Sequence, residues 1–184
     1  MKAVLLSAVL ATPAAAESLC GRTASQAVLA QLAGNWTGEA RMSVVNEVID
    51  ELRRTPADEG TPTVIAADGT LLALQDLLAE GDRPLVLAPT RPLDVDTVDD
   101  LLDAADAADF ADALSDMPCG PEALPQFAAP VAVTDEAGGV SITGRIMLVP
   151  YFTDRVLRLD RLTASDGETV LYVIRALLLT PLAN

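Results

Sequence analysis

At 184 residues, with 27 acidic against 12 basic side chains and a formal charge of −15, the chain is long enough for one domain with a real core. That charge leaves no basic patch for nucleic acid, and an anionic membrane surface would repel it. Histidine is absent and Lys2 is the one lysine, which removes Ser–His, Cys–His and Ser–Lys nucleophile pairs and any histidine-ligated zinc or copper.

Met1 to Ala16 reads as an export signal. Lys2 supplies the positive start, Ala3 to Leu10 the short apolar run, and Ala14-Ala15-Ala16 an A-x-A cleavage site. No later run reaches about 18 uninterrupted apolar residues, so membrane insertion is not expected. Cleavage would leave residues 17–184 as a single β-rich domain, soluble in the periplasm, with eleven arginines against 27 acidic residues. Glu17-Ser18-Leu19 is not the small-residue run that lipid attachment at Cys20 requires. Two cysteines in an exported chain most simply form one disulfide, Cys20 to Cys119, closing a loop worth roughly 4–5 kcal/mol in the chain-entropy model. A free reactive pair is the alternative, without C-x-x-C spacing.

Ser25 to Leu32 predicts a short helix, with Ser25 as N-cap, apolar Val28, Leu29 and Leu32, and Gly34 as its stop. Trp36 to Val44 alternates as a half-buried strand. Val45 to Arg54 fits either a strand or a helical stripe. Thr63 to Ala67 and Thr70 to Leu74 flank Asp68-Gly69, a favoured hairpin connection because it tolerates φ > 0. Pro84 to Ala88 is a short strand candidate.

Asp94 to Met117 predicts an acidic helix, its first turns crowded with carboxylates where the helix dipole favours them. Pro118, Gly120 and Pro121 end it. Val131 to Thr134 is a further strand, turning at Gly138-Gly139 into Val140 to Leu148, whose alternate residues are apolar or small. Val156 to Leu162 and Thr169 to Leu179 follow as strands joined across Ser165-Asp166-Gly167. The last is apolar on both faces, the pattern of a covered central strand.

No G-x-S-x-G, phosphate-cradling loop or dinucleotide fingerprint is present. Carboxylate chemistry such as glycoside hydrolysis remains open, but no acidic pair is distinguished by spacing. Asp94, Asp96, Asp99 and Asp100 offer hard oxygen ligands, yet the glycine and glutamate of a calcium loop are missing, and a solvated helix start accounts for them. No catalytic residue, metal ligand set or cofactor is therefore assigned. Arg155, Arg158 and Arg161 form the one local basic cluster, with Asp154 and Asp160 beside it, a pattern suited to structural ion pairing.

The stretch Leu32-Ala33-Gly34-Asn35-Trp36 carries a G-x-W motif after a short helix. In this it resembles the lipocalin (calycin-like) group of secreted β-barrel proteins. Thr153-Asp154-Arg155 is similar to that family's T-D-Y turn, without the tyrosine. The resemblance implies that Gly34 and Trp36 open the first strand and that Arg175, near the end of the last strand, packs over Trp36. It also implies a cup-shaped sheet for a small apolar ligand, with Trp36, Met42, Ile146, Phe152 and Tyr172 as wall or floor. The long helix precedes the last strands here, whereas that family carries its helix after them. The expected fold is thus mainly β (α+β): an antiparallel sheet, partly or fully closed as a barrel, with one acidic and one short N-terminal helix. Two non-enzymatic roles stand open: an exported binder of a small apolar ligand, or a periplasmic accessory protein whose acidic helix meets an unknown protein partner. A carboxylate-based hydrolase is the third.

Overall fold

A computed structural model describes residues 16–47, 51–53, 61–75, 78, 83–90, 115, 117–135 and 139–182, with backbone alone for 40–47, 51–53, 61 and 135. Tight Asp-Gly turns organise two of its hairpins. Asp68 Oδ1 accepts from the Thr70 N–H at 2.8 Å and Gly69 sits at φ +91° between β3 (Thr61–Ile65) and β4 (Thr70–Leu72). Asp166 Oδ1 accepts from the Glu168 and Thr169 N–H groups at 3.0 and 2.7 Å, with Gly167 at φ +93°, between β9 (Arg155–Ser165) and β10 (Val170–Pro181). Both turns follow the sequence reading.

The remaining strands are β1 (Gly34–Glu47), β2 (Glu51–Arg53), β5 (Leu85–Val86), β6 (Ala88–Pro89), β7 (Phe127–Asp135) and β8 (Val140–Phe152). They join in one antiparallel sheet of order β5-β4-β3-β1-β10-β9-β8-β7-β6, with β2 paired to the far end of β1. The two ends of this path are halves of one segment, separated only by Leu87. That segment therefore brings both sheet edges together, and Leu87 N–H to Gly69 O (2.9 Å) and Thr90 N–H to Gln126 O (3.1 Å) hold it there. The result is a nearly closed β-barrel in which strands consecutive in sequence are neighbours, except that β2 and β3 both pair with β1. Where the pattern of Val45 to Arg54 is ambiguous, the structure continues β1 to Glu47 and pairs it with β2. Backbone pairing with β10 and β2 decides what local spacing does not.

The helix α1 (Gln26–Gln31) plugs one barrel end. Its Val28 and Leu29, with Leu32, are buried beside Ile65, Leu71, Leu85 and Leu87. Ser25 occupies the N-cap position without a side-chain cap bond. The predicted acidic helix Asp94–Met117 lies outside the described residues, apart from Ser115 and Met117. No helix among the described residues is long and apolar enough to cross a membrane.

Burial splits the long strands into two faces. Ile142, Ile146 and Leu148 of β8, Val156 and Leu162 of β9, and Val173, Leu177 and Leu179 of β10 join the cluster that includes α1, so they face the barrel interior. Met147, Val149, Tyr151, Leu157, Leu159 and Ala176 form a second cluster on the outer face, packed against Leu124, Met117, Cys20 and Cys119. The Cys20–Cys119 disulfide (Cα–Cα 6.2 Å) therefore staples the N-terminal segment and the stretch before β7 over the outside of β8–β10. This cover is why β10 is apolar on both faces. A disulfide also implies an oxidising compartment.

Candidate functional site

The interior is built in rows that the strand register fixes. Leu177, Arg158, Leu148 and Phe127 form one row across β10, β9, β8 and β7. Arg175, Asp160, Ile146 and Ala129 form the next, and Val173, Leu162, Gly144 and Val131 the one after. Two neighbouring rows thus carry charge among apolar side chains.

Arg158 and Asp160 are two residues apart on β9, so their side chains share the inner face. Arg158 donates from Nε and Nη2 to the two oxygens of Asp160 at 2.7 and 2.8 Å, a bidentate pair. Its guanidinium also crosses the barrel, donating to Thr63 Oγ1 of β3 at 2.9 Å and to the Ala73 carbonyl after β4 at 2.7 Å. Arg175, directly opposite Asp160 on β10, donates from Nε and Nη2 to Asp160 Oδ2 at 3.0 and 2.7 Å. Arg158 and Asp160 are 0% and 1% exposed. With its oxygens occupied by two guanidiniums, Asp160 anchors both arginines. This is the structural ion pairing expected of the Arg155–Arg161 run, realised by its middle member. Arg161 stays exposed, and the guanidinium of the exposed Arg155 lies 5.9 Å from the Phe152 ring centre.

The walls on either side of this layer are unequal. β1, β8, β9 and β10 run 11 to 14 residues, whereas β3 has five and β4, β5 and β6 have three or fewer. At about 3.3 Å per residue the long strands extend well past the short wall. Val131, Ile142, Leu162 and Val173, all buried, line that extension, where the three-residue β2 is the strand paired to β1 beyond the end of β3.

The candidate residues separate accordingly. Trp36 is buried (3% exposed) at the plugged end, its Nε1–H donating to the Leu32 carbonyl at 2.9 Å, and Gly34 pairs with Ile65 where β1 begins. Ile146 faces inward beside Asp160. Phe152 belongs to the outer cluster, its ring 5.6 Å from that of Tyr151, and Tyr172 is 48% exposed on the outer face of β10. Neither lines the interior: Tyr172 sits at the alternate parity to inward Val173 and Leu177, whereas Phe152 shares the parity of inward Ile146 and Leu148 and is turned out by the register shift between Pro150 and Phe152. Met42 is in register with Ala176, an outer-face residue, because a bulge between Ala40 and Met42 shifts the alternation; its side chain lies outside the described residues. Trp36 pairs with Pro181 and Arg175 with Ser43, roughly 20 Å apart along β10. Arg175 therefore does not pack over Trp36; its guanidinium is held at Asp160 instead.

Sequence reading placed Asp160 beside the arginine cluster without assigning it to the interior, and did not single out Thr63. The available signal was Val156-x-Arg158-x-Asp160-x-Leu162, opposite charges at successive inward positions of a strand otherwise apolar on that face.

Outside the barrel, a cleft of about 380 Å³ lies between Arg22–Ala24, Pro89–Thr90 and Glu122–Gln126. Among the described residues no three carboxylate or cysteine side chains converge to hold a metal. No family model matches the chain, and no curated protein or solved structure is significantly similar to it.

Proposed function

We propose that the protein is an exported, non-enzymatic binder of a small, mainly apolar molecule, working in the periplasm. Its site is the half of the barrel beyond the Arg158–Asp160–Arg175 layer. The observation that carries this reading is the unequal wall: Val131, Ile142, Leu162 and Val173 form an apolar inner surface past the end of the short strands. Trp36, Ile65, Leu71, Phe127 and Leu148 pack together in the plugged half, so this reading places the guest in the other half. A nearly closed antiparallel barrel is compatible with a lipocalin-like fold, and this reading agrees with that resemblance.

Native mass spectrometry of protein purified from the periplasm is the test. A reproducible small-molecule mass that departs on unfolding, and that is lost in Leu162→Arg, supports the reading. A clean mass without a passenger, together with no shift in melting temperature across a panel of fatty acids, sterols and isoprenoids, refutes it. The filled plugged half favours a second reading, an accessory protein that meets its partner through its outer surface.

A further inference from the structure

We propose that Asp154 is the counter-ion of the α-ammonium group created at Glu17 when the chain is cut after Ala16. Residues 17–19 run antiparallel to the end of β8. Ser18 bridges Phe152, the Leu19 N–H donates to the Tyr151 carbonyl at 3.0 Å, and the Thr153 N–H donates to the Glu17 carbonyl at 3.0 Å. Extending that register sets Ala16 opposite Asp154, so the turn between β8 and β9 faces the bond that a signal peptidase would hydrolyse. Asp154 Oδ1 is shielded from solvent and accepts no hydrogen bond. Folded proteins rarely leave a buried acceptor so.

In the uncut chain the Glu17 nitrogen is an amide with one hydrogen, donated to Thr153 Oγ1 at 3.1 Å. Hydrolysis adds water across the Ala16–Glu17 bond, Ala16 leaves with the new carboxylate, and Glu17 keeps an amine that is protonated at neutral pH. That group has three hydrogens: one keeps Thr153, and the others are free for Asp154. The nearby cations are otherwise engaged. Arg22 pairs with the Glu17 side chain at 2.6 Å, and Arg155 lies over the Phe152 ring. Removal of the leader would thus complete the turn and lock the N-terminus beside buried Leu19 and the Cys20 disulfide.

The inference rests on the export reading, and its test separates the two. Intact mass of periplasmic protein should place the first residue at Glu17; any other start overturns both. Melting temperatures are then compared for the mature chain and a chain retaining Ala15 and Ala16, each with and without Asp154→Asn. The substitution should lower the mature chain's midpoint by about 2–4 °C and the extended chain's by less than about 1 °C. Equal shifts overturn the pairing and leave export standing. A second readout needs no substitution: the Glu17 α-amino group of the mature chain should titrate above the usual range of about 7.7–8.0, and a value inside it overturns the pairing.

Discussion

Removing the carboxylate of Asp160 probes the barrel where its charge balance is most exposed to error. Asp160→Ala deletes four charge-assisted hydrogen bonds and leaves Arg158 and Arg175 facing Ile146, Leu148 and Leu177. Arg158 and Asp160 have no solvent access through their side chains and Arg175 only 10%, so solvent screening offers little relief. Breaking a buried pair from one side costs about 3–5 kcal/mol, a large part of an ordinary domain's stability. For a chain of this size that lowers the melting temperature by roughly 6–20 °C. Arg158→Met is milder, about 1–3 kcal/mol, because Asp160 keeps Arg175 while Thr63 and the Ala73 carbonyl lose a donor. Urea unfolding with the disulfide intact, followed by the fluorescence of Trp36, measures both. A loss below about 1 kcal/mol for Asp160→Ala, or one no larger than that of Arg158→Met, would refute the anchoring role.

Gly144 lies at φ +136° on β8, and a Cβ there would overlap the Arg161 carbonyl of β9, so Gly144→Ala should cost at least about 1–3 kcal/mol by denaturant titration. Cys20→Ser with Cys119→Ser opens a closure 99 residues apart in sequence and should cost about 4–5 kcal/mol, with an unfolding midpoint that no longer responds to reductant. In the two Asp-Gly turns the carboxyls sit below their ordinary range: Asp166 through the Thr169 and Glu168 N–H groups, Asp68 through the Thr70 N–H and hydroxyl. Because folding lowers these pKa values, their contribution is present above about pH 4 and is lost as the pH falls through the folded values. Carbon-detected titration should find both midpoints below that of an unfolded-chain aspartate, and normal midpoints would contradict the turn geometry.

Local patterning was a good guide wherever the cause was local. The Asp-Gly turns, the alternation of β8 and the two-faced apolar run of β10 follow from side-chain parity and from φ > 0 at glycine. The candidate wall residues divide on the same ground. Ile146 has inward parity ahead of any break in its strand and Tyr172 takes the opposite parity, whereas the register shifts after Ala40 and after Pro150 turn Met42 and Phe152 off the simple alternation in a way that one strand read alone cannot reveal.

What the amino-acid sequence settled by itself was a set of short-range facts: antiparallel strands, hairpin positions, a cysteine pair suited to a staple, and the lack of histidine chemistry. What only the tertiary structure decided was which charges go inside. Arg158, Asp160 and Arg175 look like surface residues in isolation, since burying any one of them alone would cost several kcal/mol. Only closure of the ring, which sets Asp160 opposite Arg175 and brings Thr63 and Ala73 within reach of Arg158, supplies the partners that make their burial tolerable.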